Sequence, residues 1–249
     1  MAADHYTKAH RSDQEFPGPL TLAIDVGGTG IKAVIVDTDN QPATPFQRVL
    51  TPKPPTPKAV FKVIDSLASQ LAPFDRVSVG FPGVIKKGVT WTAHNLHPKW
   101  IGFNLAAELS QLLEKPVRVV NDAAMQGFGA ISGKGLELTI TLGTGLGSSL
   151  FVDGTLVPGL EMAHHPFRKG RTYEEQLGKR ALDSIGSKRW NRRLKLAIER
   201  WESLFNYDRL YIGGGNAKKV AIKLPENARL VTNREGLFGG IALWRQEED

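Results

Sequence analysis

Apolar residues come in short blocks whose period changes along the chain. Continuous runs read as buried strands, and three-and-four spacing reads as helices. Leu20 to Val26 predicts a buried strand, and Ile31 to Val36 predicts its hairpin partner across a glycine-rich turn. Thr51 to Pro57, rich in proline, is a loop. Ala59 to Leu71 has helical spacing, and Arg76 to Phe81 is a strand stopped by Pro82-Gly83. Asn104 to Leu113 is helical. Val117 to Val120 is a short strand feeding a helix from Asp122 to Ile131, with Asn121 or Asp122 at its cap. Leu136 to Leu142 and Ser148 to Val152 flank a second glycine turn. The later half is more helical. Between Ser187 and Phe205, Trp190, Leu194, Ala197, Ile198, Trp201, Leu204 and Phe205 share one arc of a helix. Lys188, Arg189, Arg192, Arg193 and Lys195 share the opposite arc, which assigns the tryptophans to the core. Arg209 to Ile212 is a strand running into Gly213-Gly214-Gly215-Asn216 and then a helix, and Leu237 to Trp244 is a closing helix. No tandem repeat of solenoid period is present.

Composition narrows the class. The chain has 249 residues, 41% apolar and 23% charged, enough for one large or two modest globular domains. No apolar run approaches the roughly 18 residues of a membrane span. Met1 to Pro19 is polar, so no secretory signal is read there, and residues 1–18 are expected to be a disordered tail. Cysteine is absent, which excludes disulfides, thiolate zinc sites and a cysteine nucleophile. A cytoplasmic protein is the expectation. Charge changes the picture more. Residues 168–195 hold ten Lys/Arg and three Asp/Glu, a surplus equal to the +7 of the whole chain. Such a stretch is either a solvated helix face or a surface that draws polyanions.

The two glycine turns carry the chemistry. One reads Asp25-Val26-Gly27-Gly28-Thr29-Gly30-Ile31-Lys32, the other Thr141-Leu142-Gly143-Thr144-Gly145-Leu146-Gly147-Ser148. Glycines let bare N–H groups close around anionic oxygens, and the threonines add donors. Neither turn is a Walker loop or a dinucleotide fingerprint, because a strand follows instead of a helix. The plainer reading is two tight hairpins. Asp-x-Gly-Gly-Thr is more than a hairpin needs, and both turns resemble the phosphate loops of the actin-like, hexokinase and sugar-kinase superfamily. That resemblance implies that Asp25 helps hold Mg²⁺ through water.

Val119-Val120-Asn121-Asp122-Ala123 places a carboxylate just after a strand. Asp122 there either caps the helix or takes the proton of an alcohol attacking phosphorus, with Asn121 on a neighbouring hydroxyl. In Glu161-Met162-Ala163-His164-His165, Glu161 and His164 are spaced to converge on vicinal hydroxyls. A metal pair or a core histidine are the alternatives; without cysteine, zinc is not expected. His165 has no assigned role.

Together the motifs resemble the ROK family of sugar kinases over nearly the whole chain after residue 19. The order is Asp25-x-Gly-Gly-Thr, Asn95-Leu96 with Trp100, Asn121-Asp122, Gly143-Thr-Gly-x-Gly, Glu161-x-x-His164 and a triple glycine. The stretches 164–178, 188–194 and 208–219 are most similar to the polyphosphate-using glucokinases of that family. The resemblance implies a two-lobed α/β fold of the actin-like/hexokinase (ribonuclease H-like) type with an interlobe cleft. One lobe would span 19–120 and be joined by a C-terminal helix from about 234 to 249; the other would span 121–233. It implies Asp122 as the base on the glucose 6-hydroxyl, and Asn95, Asn121, Glu161 and His164 on the sugar, with Glu174 (or Glu175) as a further sugar ligand. Gly27, Gly28, Thr29, Gly30, Lys32, Gly143, Thr144 and Gly145 would face the donor phosphates, with Gly214, Gly215 and Asn216 along the donor channel. Arg168, Lys169, Lys188, Arg189, Arg192, Arg193, Lys218 and Lys219 would carry polyphosphate along the surface.

The sequence departs from the family at the missing zinc cysteines, at Ala124 in place of a carboxylate, and at Ala163 in place of glycine. The expectation is phosphoryl transfer from polyphosphate, with ATP as a further donor, to glucose with Mg²⁺, by a homodimer. A strictly ATP-dependent hexose kinase is the nearest alternative. A sugar-sensing repressor is disfavoured, because 19 residues before the first strand leave no room for a DNA-binding domain. Neither nucleic acid nor membrane is an expected partner.

Overall fold

The computed structural model describes residues 18–71, 73–93, 96–232 and 239–245. The expected tail, apart from Gly18, lies outside the described residues, as do Asn95 and the ends of the expected closing helix.

β1 (Thr21–Val26) and β2 (Gly30–Val36) form the first glycine hairpin, with Asp25 opposite Lys32. β3 (Gln47–Leu50) adds antiparallel to β2. It is an exposed edge, so it lacks the apolar alternation that would announce a strand. α1 (Pro57–Leu71) leads to β4 (Arg76–Phe81), which lies parallel to β1. A small hairpin of β5 (Ile85–Lys86) and β6 (Val89–Thr90) precedes α2 (Leu105–Leu113). The side chain of Asn104 caps α2 by accepting from Ala107 N at 3.1 Å. β7 (Val117–Asn121) completes a sheet of order β3-β2-β1-β4-β7. Leu22 and Ile24 face α1 and α2 in one core with Val60, Ile64 and Leu105, while the intervening Ala23 faces Met125 and Ile241.

The second half repeats the plan. After α3 (Asp122–Phe128) come β8 (Leu136–Leu142), β9 (Leu146–Val152) and β10 (Thr155–Val157). A tight hairpin of β11 (Pro166–Arg168) and β12 (Arg171–Thr172) leads into α4 (Tyr173–Leu177) and α5 (Lys179–Phe205). α5 breaks at Gly186, whose φ of 74° is not helical. β13 (Arg209–Gly213) and β14 (Ala228–Leu230) finish a sheet of order β10-β9-β8-β13-β14. Its pair directions match those of the first sheet: an antiparallel meander of three strands, then two parallel additions. This repeated α/β plan is the expected actin-like/hexokinase (ribonuclease H-like) architecture. Trp190 and Trp201 are fully buried in the second core, as the helical arc requires.

α3 lies between the two sheets. Met125 packs on the first, and Phe128 on Phe151 of the second. The approach is close: a Cβ added at Gly147 in β9 would stand 2.6 Å from the Ala123 side chain. The described C-terminal residues join α3 there. Ser78 in β4 donates to Gly240 O, and Trp244 Nε1 donates to Ser78 Oγ at 2.8 Å.

Four expectations change. α3 stops at Phe128, not Ile131, because the following loop folds back onto Glu137. That buried carboxylate accepts from Ser132 N and Oγ, Gly133 N, Lys134 N and the Tyr211 hydroxyl. Burial would raise the Glu137 pKa, but these donors outweigh it and hold it below its ordinary value. The segment after Asn216 is one 3-10 turn (Ala217–Lys219), because Ala221 N is then captured by Asn191 Oδ1 of α5. The closing segment, Gly239–Arg245, is also 3-10 rather than α-helical and begins with two glycines. Leu204, placed by its arc in the core, is 64% exposed near the end of α5. No helix among the described residues is long and apolar enough to cross a membrane.

Candidate active site

The two glycine hairpins open into one cleft of about 460 Å³. Asp25, Gly27, Gly28, Thr29 and Lys32 line it from the first hairpin, and Gly143, Thr144 and Gly145 from the second. Asn121, Asp122, Glu161, His164, Glu174, Gly214 and Gly215 complete the expected set that meets there. Residues far apart in sequence are thus gathered around one space. Thr141, Ser148, Gln126 and Leu160 also line it and were missed. The first two flank the second turn, and their strand neighbours gave no reason to single them out.

Each turn is braced from outside. In the first, Gly27 N donates to Gly30 O at 3.0 Å, and the Thr51 hydroxyl donates to Gly27 O at 2.5 Å. Gly28 and Thr29 are left exposed. Gly30 itself is buried at the start of β2 and does not line the cleft; it closes the turn rather than facing a donor. In the second, Gly143 N donates to Gly145 O, and the carbonyls of Gly143 and Thr144 accept from Lys179 N at the start of α5. Asn216 likewise stays outside the cleft lining. Its Nδ2 donates to Gly143 O at 2.9 Å and its backbone N to Leu142 O at 2.8 Å, so it holds the second turn. Gly214, with φ of 87°, passes so close to Leu142 that a Cβ would stand 2.4 Å from its carbonyl oxygen. No side chain fits there, and the backbone of the triple glycine is brought to the cleft wall.

Asn121 and Asp122 divide the work that the sequence left open. Asn121 is the cap: its Oδ1 accepts from Ala123 N at 2.9 Å and Ala124 N at 3.4 Å, and its Nδ2 donates to Gly83 O at 3.1 Å. One Nδ2 hydrogen remains for a ligand. Asp122 is thereby released from capping alone. It accepts from Ala123 N at 2.8 Å and keeps part of its surface on the cleft. Burial pushes its carboxyl up to about 7, the Asp25 charge adds to the push, the Ala123 N–H opposes it, and Glu161 adds a smaller increment. A carboxyl poised near neutrality in a cleft suits a general base. Ala124 is buried at 3% exposure, within α3.

Asp25 Oδ2 accepts from Lys32 Nζ at 2.8 Å across the hairpin. Glu161 Oε2 lies 3.8 Å from His164 Nε2, both side chains half open on a 3-10 turn (Met162–His164). Glu174 and Glu175 separate. Glu174 Oε2 accepts from Leu146 N at 3.2 Å and presses on Gly145, inside the cleft. Glu175 closes a capping box with Thr172 at the start of α4 and faces solvent. His165 is exposed, its Nδ1 3.1 Å from Pro166 O.

Of the expected basic surface, Arg168, Arg189, Arg192 and Arg193 line a second cavity with Leu196. Lys169, Lys188, Lys218 and Lys219 are exposed outside both cavities. Among the described residues, no group of three or more His, Cys, Asp or Glu is placed to hold a metal ion.

The sequence and the fold have clear relatives. A polyphosphate glucokinase of Mycobacterium tuberculosis is 36% identical over 234 residues, which cover 85% of this chain and 84% of that protein. A polyphosphate glucokinase of Mycobacterium leprae is 32% identical over 235 residues, covering 88% and 72%. The crystal structure of an inorganic polyphosphate/ATP-glucomannokinase from an Arthrobacter species superposes with a TM-score of 0.82 at 31% identity, covering 92% of this chain and all of that one. The ROK family model matches residues 21–167, the span that holds both glycine hairpins, Asp122 and the Glu161–His164 turn. By that match and these relatives, the chain belongs to the ROK family.

Proposed function

We propose that this protein transfers the terminal phosphoryl group of inorganic polyphosphate, and of ATP as a second donor, to the 6-hydroxyl of glucose. The products are glucose 6-phosphate and a donor shortened by one phosphate. One observation carries the reading: a carboxyl raised to about 7 stands in a cleft between two glycine turns. The names of the relatives at 31–36% identity supply the donor and acceptor.

The roles rest on the cleft lining together with family resemblance. Asn121, Glu161, His164 and Glu174 hold the sugar hydroxyls, and Asn95 joins them by family resemblance. Asp122 accepts the 6-hydroxyl proton as that oxygen bonds to phosphorus and the bridging P–O bond breaks. Gly27, Gly28, Thr29, Gly143, Thr144, Gly145, Gly214 and Gly215 surround the donor phosphates with backbone and hydroxyl donors. Lys32 supplies a cation beside them.

The donor set fits a hydrated divalent ion better than a caged one, since one cleft carboxylate, Asp25, stands beside the first turn and no metal-ligand cluster surrounds it among the described residues. Asp25 would hold Mg²⁺ through water; the ion, once bound, neutralises donor charge. The two sheet units act as lobes that close over glucose and exclude water. The working form is a cytoplasmic homodimer, on family resemblance.

Initial rates with glucose and either long polyphosphate or ATP test the reading. Glucose 6-phosphate forms from each donor alone, and Asp122→Asn lowers both rates by roughly 10²–10⁴-fold while glucose still binds. Unchanged turnover in that variant removes Asp122 as base.

A further inference from the structure

Glu174 carries a charge that its position does not explain. Its Oε2 accepts from Leu146 N at 3.2 Å, and a Cβ added at Gly145 would overlap that oxygen and stand 2.9 Å from Cδ. The carboxylate therefore lies directly on the backbone of the second glycine turn, an approach that only glycine at 145 permits. Among the described residues no cation pairs with it. Lys179, at the start of α5, is paired instead with Asp183 at 2.8 Å. An unpaired negative charge on a turn read as a phosphate cradle opposes the donor, and at a partly buried wall salt screens it incompletely.

The backbone around this charge is fastened, and the side chain is not. A capping box fixes the start of α4, and at its end Gly178 N donates to Glu174 O at 2.8 Å. Lys179 N then donates to the carbonyls of Gly143 and Thr144, and a Cβ on Gly178 would stand 2.9 Å from Thr144 O. Tyr173 and Leu177 are buried in the second core. α4 and the turn are thus joined through backbone and packing together. The Glu174 side chain is only half-buried and lines the cleft, and among the described residues its Oε1 has no protein donor. Its torsions are the part free to respond to a ligand.

We infer that Glu174 couples the acceptor to the donor. With no sugar in the cleft, its charge rests on Gly145 and Leu146 and weakens donor binding. A sugar hydroxyl donating to the same carboxylate draws that charge off the turn, and the donor then binds more tightly. The inference rests on the phosphotransferase reading above, in which Glu174 takes a sugar hydroxyl. It adds a positioning role that Glu174 exercises on the donor through the second turn. A donor held well only when its acceptor is in place is protected from transfer to water. A Glu174 that merely braced the turn would have the opposite sign, because removing a brace loosens the donor site.

The test compares the full chain with Glu174→Gln, which keeps a carbonyl for Leu146 N and removes the charge. Each is titrated with the imido analogue of ATP and Mg²⁺, with and without saturating 6-deoxyglucose, which offers the other hydroxyls but cannot accept phosphate. In wild type the sugar tightens analogue binding about fivefold or more, and the analogue tightens sugar binding by the same factor. Without sugar, Glu174→Gln binds the analogue about threefold or more tighter than wild type, and the sugar then adds less than about twofold. Glu174→Asp keeps the charge, and its sugar-free binding is no tighter than that of wild type. Weaker sugar-free binding by Glu174→Gln overturns the coupling, as does a sugar effect of equal size in both proteins or none in wild type. Formation of glucose 6-phosphate is scored separately. Transfer without coupling refutes this inference alone, whereas coupling of analogue and sugar without transfer refutes the phosphotransferase reading and keeps the inference.

Discussion

Two cavities on either side of α4 differ most in charge. The larger is lined by Asp25, Asp122, Glu161 and Glu174, against one lysine, Lys32, and His164. The smaller is lined by four arginines and no acid. A polyanion is repelled by the charges of the first and attracted by those of the second, yet the chemistry proposed above belongs to the first. In the proposed reaction the cleft would meet phosphate with backbone N–H groups, hydroxyls and a hydrated metal ion, whose strength depends on position. The carboxylates of the cleft are assigned in that proposal to the sugar hydroxyls and to the proton.

Several changes would break or sharpen this contrast. The largest effect is expected on the acidic side, where Asp122→Asn lowers kcat with either donor by roughly 10²–10⁴-fold, the usual range for a lost general base. Titration calorimetry with glucose checks that the sugar still binds. A second change lies in pH. With Asp122 near 7 in the free enzyme, kcat/KM falls below about pH 7 as the base becomes protonated. Glu161→Gln removes the weaker of two like-charge effects on Asp122 and moves that acid limb slightly downward, whereas Asp25→Asn removes the stronger and moves it further. A limb that stays in place in both variants contradicts the like-charge account.

The same raised carboxyl costs stability. Its folded value lies above its unfolded one, so the penalty is absent below about pH 4, grows as pH rises, and is complete above about 7. Asp122→Asn should therefore unfold at higher denaturant than wild type at pH 8, by on the order of 2–4 kcal/mol, and lose that advantage near pH 4. The smallest effect on activity is expected from Glu137→Gln, remote from both cavities. Its depressed carboxyl stabilises the fold above the unfolded value and is lost as pH falls through the folded one. The variant should melt lower at neutral pH, with kcat within about twofold, since breaking a buried hydrogen-bonded network acts on stability first.

Much of this was legible in the residues. The glycine hairpins, the Asn121-Asp122 step and the core face of α5 follow from short-range pattern and from what phosphate requires. Edge strands β3, β10 and β14 were not legible, because their mostly exposed residues carry no alternation. Glu175 sits in a Thr-x-x-Glu box that the sequence does contain, and reading it would have separated Glu175 from Glu174 at once. The family resemblance puts Asn216 along the donor channel, but its side chain turns to Gly143 O, a partner 73 residues away. The division of the basic stretch was hidden for a similar reason. Charge counts along the chain do not say which arginines share a cavity, and Arg168 reaches the others only through the β11–β12 hairpin.

The most direct measurement is glucose 6-phosphate formation from long-chain polyphosphate as sole donor, with Mg²⁺ at low salt, by wild type and Asp122→Asn side by side. Wild type forms the product and the variant forms it roughly 10²–10⁴-fold more slowly. Product from ATP but none from polyphosphate, or equal rates in the two proteins, would contradict the account.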